Sequence, residues 1–151
     1  MSKKVHLRFS SDSLFSRMFI KCVHRNAKNE YYYDGTCVDY NPGVMVDFKN
    51  IEHTYEIFQL FGPYWGGCNA CPTSDEMYVV ARRWEDEFGA EIVGLDYDSI
   101  DFRVNRELSD AEVVSLISEI KVINAEPNCA GGFTGFGSCI KEKGEFYVWW
   151  N

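Results

Sequence analysis

Residues Trp65–Glu91, WGGCNACPTSDEMYVVARRWEDEFGAE, decide how the rest of this chain is read. Pro72 cannot continue a helix from before it, but it sits well just outside a helix start. Thr73-Ser74-Asp75-Glu76 has the form of a capping box, in which the Thr73 hydroxyl takes one free backbone N–H and Glu76 reaches back for another. Asp75 and Glu76 also favour the positive end of the helix dipole. Met77, Val80, Ala81, Trp84 and Phe88 then recur at helical spacing, which turns Arg82, Arg83, Glu85, Asp86 and Glu87 mostly outward. Gly89 supplies the left-handed residue that ends the run. The expectation is an amphipathic helix between Thr73 and Gly89.

Downstream, Glu91–Leu95 and Ser99–Val104 read as strands joined by a tight turn at Asp96-Tyr97-Asp98. Ile100, Phe102 and Val104 alternate with Asp101 and Arg103, the pattern of a half-buried strand. Ser109-Asp110-Ala111-Glu112 is a second capping box, opening a helix with Val113, Leu116, Ile117 and Ile120 inward. The glycine-rich run 130–137 reads as a mobile loop that offers Phe133 and Phe136 as contact residues. Glu145–Trp150, with four aromatics in six residues, reads as a closing strand.

Upstream, Lys4–Phe9 and Val44–Phe48 suit strands, and 25–42 suits a hairpin or long loop interrupted by Tyr31-Tyr32-Tyr33. The stripe Leu14, Phe15, Met18, Phe19 and Cys22 fits a short helix or a strand, and Ile51–Phe61 fits either period. The expected fold is α+β: a mostly antiparallel sheet with two amphipathic helices packed on one face. It is expected to be a single domain over 1–151, with a variable part at 1–43 and a core at 44–151.

Composition narrows the function class. The chain is 46% hydrophobic and 16% aromatic, enough for a sizeable core and against disorder. No apolar run approaches the ~20 residues of a membrane span. Ser10, Ser11, Asp12, Ser13, Ser16 and Arg17 break any signal-peptide core, so a cytoplasmic protein whose six cysteines are free thiols is expected. The net charge of −8 is unevenly placed. Residues 75–119 hold thirteen acids against four bases, whereas 1–74 is nearly balanced. Such a field repels phosphate backbones and favours a basic protein partner over nucleic acid. An ordinary solvated acidic surface is the bland alternative.

The run Gly66-Gly67-x-Asn69-x-Cys71-Pro72, then Trp84, Phe88-Gly89-Ala90-Glu91, the Asp98 strand, the second capped helix and the closing Trp149-Trp150-Asn151 resembles a bacterial family, domain of unknown function 4253. The resemblance spans about residues 44–151. That family typically carries GGxNxCP, a tryptophan in the next helix, GAE before a strand and a closing WWD. It implies a fold unit and no activity. The chain departs from the pattern at Glu126-Pro127-Asn128, where the family tends to have Cys-Pro-Asp, and at Asn151 in place of Asp. Cys68 falls at a variable position of the family.

Each candidate chemistry has a structural counterpart. Cys68-x-x-Cys71 ahead of a helix has the look of a redox motif, but Thr73 caps the helix, so neither sulfur takes the usual place inside it. A buried Cys71 beside a glycine turn, with Asn69 bracing the loop, accounts for the same residues. Gly66, Gly67, Asn69, Cys71, Pro72 and Trp84 are therefore read as a structural motif. Zinc would need Cys129 and Cys139 to complete Cys68 and Cys71, at a spacing far looser than a second knuckle. Asp96, Asp98 and Asp101 lack room for a calcium loop. His53, between Glu52 and Glu56, is read as structural. No nucleophile elbow or phosphate loop is present. No metal and no cofactor is expected.

The reading that follows is a non-catalytic acidic binding protein, in its sharpest form an immunity protein that masks the basic active-site surface of a toxin such as a nuclease. Glu85, Asp86, Glu87, Asp98 and Asp101, with Tyr97 as anchor, are its expected partner contacts. The alternative is a cytosolic thiol or redox enzyme using Cys68 and Cys71.

Overall fold

The structure is a computed structural model that describes residues 3–7, 24–25, 31–33, 36–38, 44–48, 51–66, 70–96, 98–127, 129 and 131–151. The Leu14–Cys22 stripe, Gly67, Cys68, Asn69 and Tyr97 lie outside the described residues.

The helix start read from Thr73 is formed as a reciprocal cap. The Glu76 amide donates to Thr73 Oγ1 at 3.2 Å, and the Thr73 amide donates to Glu76 Oε2 at 2.8 Å. Helix α1 runs Ser74–Phe88, and Ser74 fixes its first turn to the preceding chain by donating to Pro63 O (2.9 Å) and Gly62 O (2.7 Å). Gly89 ends it at φ 66°, with its N–H on Glu85 O. Helix α2, Asp110–Val122, opens with the same device on Ser109 and Glu112.

Six strands form one sheet: β1 Lys3–Leu7, β5 Val44–Phe48, β6 Ala90–Leu95, β7 Ser99–Val104, β8 Glu126–Pro127 and β9 Glu145–Trp149. Their order is β5-β1-β6-β7-β9-β8, and every pair is antiparallel except β1 with β6. The fold is thus α+β with a mostly antiparallel sheet. Three short strands, β2 His24–Arg25, β3 Tyr31–Tyr33 and β4 Thr36–Val38, make a separate small sheet, so the Tyr31–Tyr33 run is a hairpin arm.

The glycine-rich run is a correction. Instead of a loop it forms the first half of helix α3, Gly132–Lys143, so the described residues hold three α-helices rather than the two expected. Phe133, Phe136 and Ile140 supply a helical stripe that outweighs the helix cost of glycine. Phe136 and Ile140 are buried, with Phe133 packed against the core beside them. The glycines also let the helix sit close: a Cβ on Gly137 would already touch Val113 of α2 at 3.5 Å. The ambiguous stretch before α1 resolves as a 3-10 helix, Thr54–Leu60.

The core is aromatic. Trp84 of α1 meets Phe102 of β7 edge-on at 5.2 Å, Phe102 stacks on Phe146 of β9 at 5.2 Å, and Phe136 of α3 meets Phe146 at 5.1 Å. Contacts of both α1 and α3 with Phe146 place these helices on one face of the sheet. Trp84 also donates its indole N–H to Glu119 of α2 (3.0 Å), which Arg83 grips with two nitrogens. A second cluster joins Phe58, Trp65 and Trp150, and Trp150 donates to Ile123 O at 2.9 Å.

Candidate partner-binding surface and thiol positions

The alternation of β7 and β9 sends Phe102 and Phe146 to the helices and their neighbours to the opposite face. There Asp101 pairs in register with Tyr147, and Arg103 with Glu145. Arg103 bonds Glu145 at 2.8 Å, and Lys3 of β1 bonds Glu91 of β6 at 2.9 Å. Asp96, Ser99, Asp101, Glu145 and Tyr147 line a cleft of about 490 Å³ where this face meets Cys139 and Lys143 of α3. Strand β6 is irregular between Ile92 and Gly94, and the intervening Val93 also lines the cleft. Asp101 lies over Gly94, and a Cβ there would come within 2.4 Å of its carboxylate.

The expected contact residues fall into three settings. Asp86 and Glu87 are exposed on α1, each about 4 Å from an arginine one turn back: Arg82–Asp86 at 3.8 Å and Arg83–Glu87 at 3.9 Å. Asp98 and Asp101 lie at the far end of β6 and β7, where the Asp98 carbonyl accepts from the Trp150 amide at 2.9 Å. Six residues of β6 separate the two groups, about 20 Å at the usual strand rise. They do not form one patch. Glu85 has a third setting.

Glu85 is turned inward. Its side chain is 11% exposed, and its Oε1 lies 2.6 Å from His53 Nδ1. Its other oxygen accepts from Thr54 Oγ1 at 3.3 Å, and that hydroxyl accepts from the Ile92 amide at 2.8 Å. The His53 ring stacks on Tyr55 at 5.0 Å, and Tyr55 meets Tyr78 edge-on. Donating a hydrogen bond to Glu85 raises the His53 pKa above its usual 6.5 against a smaller opposing effect of burial. Glu85 therefore clamps the 3-10 helix to α1 and is not a free surface carboxylate. Thirty-two residues separate His53 from Glu85, so local spacing carries no trace of the pair. The sequence signal was confined to the acidic neighbours of His53.

Among the structural-motif residues, Gly66, Cys71 and Pro72 are half-buried and Trp84 is buried. Cys71 corrects one expectation: it is disulfide-bonded, so not all six cysteines are free thiols. Compartment reasoning predicts an average redox state, whereas a bond forms wherever two sulfurs are held together. Cys129 and Cys139 are free. A disulfide sulfur is no thiolate ligand for zinc, and among the described residues no three His, Cys, Asp or Glu side chains converge as a metal site requires. Also among the described residues, no helix is long and apolar enough to cross a membrane.

Residues 48–151 match the family model described as Domain of unknown function (DUF4253). No curated protein and no solved structure matches the chain.

Proposed function

The chain belongs to the DUF4253 family, which carries no assigned activity, and from its own charged surface we propose that it is a non-catalytic binding protein for a basic protein partner, acting as an immunity protein against a toxin. One observation carries the reading. All four arginines of the acidic segment 75–119 are engaged within the chain: Arg82 with Asp86, Arg83 with Glu119, Arg103 with Glu145 and Arg106 with Glu112. Lys3 and Lys141 from outside the segment pair with Glu91 and Asp110, yet thirteen acids against four arginines leave the segment strongly negative, and such a surface steers a basic partner. A nuclease toxin, whose active-site surface must be basic to hold phosphates, fits this field.

Asp86 and Glu87 are the contact residues to test, because Glu85 already serves His53. With a cognate nuclease toxin as the ligand, association should slow about tenfold or more between low and physiological salt. D86K/E87K should slow it by a similar factor and leave Tm within a few degrees. Binding indifferent to both salt and charge reversal sinks the proposal.

A second reading, a thiol–disulfide protein acting through Cys68 and Cys71, is favoured by the Cys71 disulfide and by its position. Cys71 lines a cleft of about 570 Å³ with Pro72, Val79, Val80 and Val122. In this reading the reduced chain reduces insulin disulfides, and C71S abolishes the activity. Equal rates for C71S and the parent protein reject it.

A further inference from the structure

The tie between α1 and α2 leaves an opening beside it. Arg83 and Trp84 both bond Glu119. One turn further along each helix, Val79 and Val80 of α1 share the 570 Å³ cleft with Val122 and Ile123 at the end of α2. Val79 is 65% exposed and Val122 80%, so two of the four large apolar side chains that the described residues leave exposed meet at this one cleft. Cys71, half-buried and disulfide-bonded, lines it as well. Among the residues lining it, Glu76 is the sole charged side chain, and its carboxylate already accepts from the Thr73 amide.

We propose that this cleft is the docking site for the substrate of the Cys71 disulfide, and that the substrate is an apolar, non-acidic polypeptide segment carrying two cysteine thiols. The inference rests on the thiol–disulfide reading above and names the substrate class which that reading leaves open. A small anionic thiol such as glutathione meets Glu76 and no counter-charge, and it leaves Val79 and Val122 wet. An apolar segment covers both valines while it presents its thiol to Cys71, and the release of water from them favours the docked state. A lysine or arginine in the same segment gains from Glu76.

The exchange balances without a further reagent. One substrate thiolate attacks the Cys71 sulfur, forms a mixed disulfide and releases the sulfur bonded to Cys71 as a thiolate. The second substrate thiolate attacks the substrate sulfur of that mixed disulfide, closes the substrate's own disulfide and releases the Cys71 thiolate. The two protons lost by the substrate thiols pass through solvent to the two released thiolates. The substrate is oxidised and the Cys71 disulfide reduced, each by two electrons.

The test uses the full chain with its disulfide intact, without oxygen, and two synthetic peptides that carry the same pair of cysteines. One has valine, leucine and lysine around them, the other serine and aspartate. Each rate is divided by that peptide's own rate with hydroxyethyl disulfide, which removes differences in intrinsic thiol reactivity. The apolar peptide should then be oxidised about tenfold faster. V79S/V122S should bring the ratio close to one, whereas V114S, which removes a similarly exposed valine outside the cleft, should keep it. Equal normalised rates for the two peptides, or a ratio unchanged in V79S/V122S, overturn the docking inference and leave the thiol–disulfide reading standing. A parent chain that oxidises neither peptide, or a C71S variant as fast as the parent, removes that reading and the inference with it. The peptide comparison on the unmutated chain decides the matter if C71S does not fold.

Discussion

Gly89 and two tryptophans show how much rests on single side chains. Gly89 holds φ 66° at the end of α1, its carbonyl accepts from the Asn105 amide at 2.9 Å, and a Cβ there would lie 2.0 Å from the Asn105 side chain. G89A combines left-handed strain with a clash, and a loss of about 1–3 kcal/mol is expected in chemical denaturation. Trp65 and Trp150 touch at 5.4 Å and are both buried, yet they differ in one respect. Trp150 donates to Ile123 O, while the Trp65 indole N–H is buried without an acceptor. W150F should therefore cost about 1 kcal/mol more than W65F, because only the first breaks a hydrogen bond and orphans a carbonyl. Equal losses from matched urea titrations would contradict this.

At the scale of elements, the clamp between the 3-10 helix and α1 makes stability depend on pH. Glu85 raises the folded pKa of His53 above the unfolded 6.5, so the protonated ring binds its carboxylate best in the native state. That stabilisation is complete below about pH 6.5 and is lost as pH rises through the folded value. Glu56 and Glu52 act in the same direction. The ring is nearly half exposed, so screening keeps the effect below about 1 kcal/mol. Tm should fall slightly between about pH 6 and about pH 8, and H53Q should flatten that slope. A slope unchanged in H53Q removes His53 as its source.

The same elements show what sequence could and could not reveal. Both capping boxes and the Gly89 stop were legible because each is a local exchange of hydrogen bonds across three or four residues. Strand β7 was legible from the alternation of Ile100, Phe102 and Val104. Helix α3 was hidden because glycine content masked the Phe133, Phe136 and Ile140 period. The His53–Glu85 clamp and the cleft beside Cys139 were hidden because each joins segments far apart in the chain. The acidic surplus could be counted from composition, but its division between the two ends of β6 could not.

At the scale of the whole molecule, the position of β1 has a consequence for the family. Strand β1, residues 3–7, lies between β5 and β6, yet the family match begins only at residue 48, the last residue of β5. A fragment restricted to the matched residues therefore leaves the outer backbone of β6 bare, a row of amides and carbonyls running beside Val93 and Leu95. Such a margin recruits foreign strands. The fragment should sediment as dimers or larger species at concentrations where the full chain is a single species. Supplying a peptide of residues 1–7 in trans should compete with that association, making the N-terminal strand a built-in guard against self-recruitment.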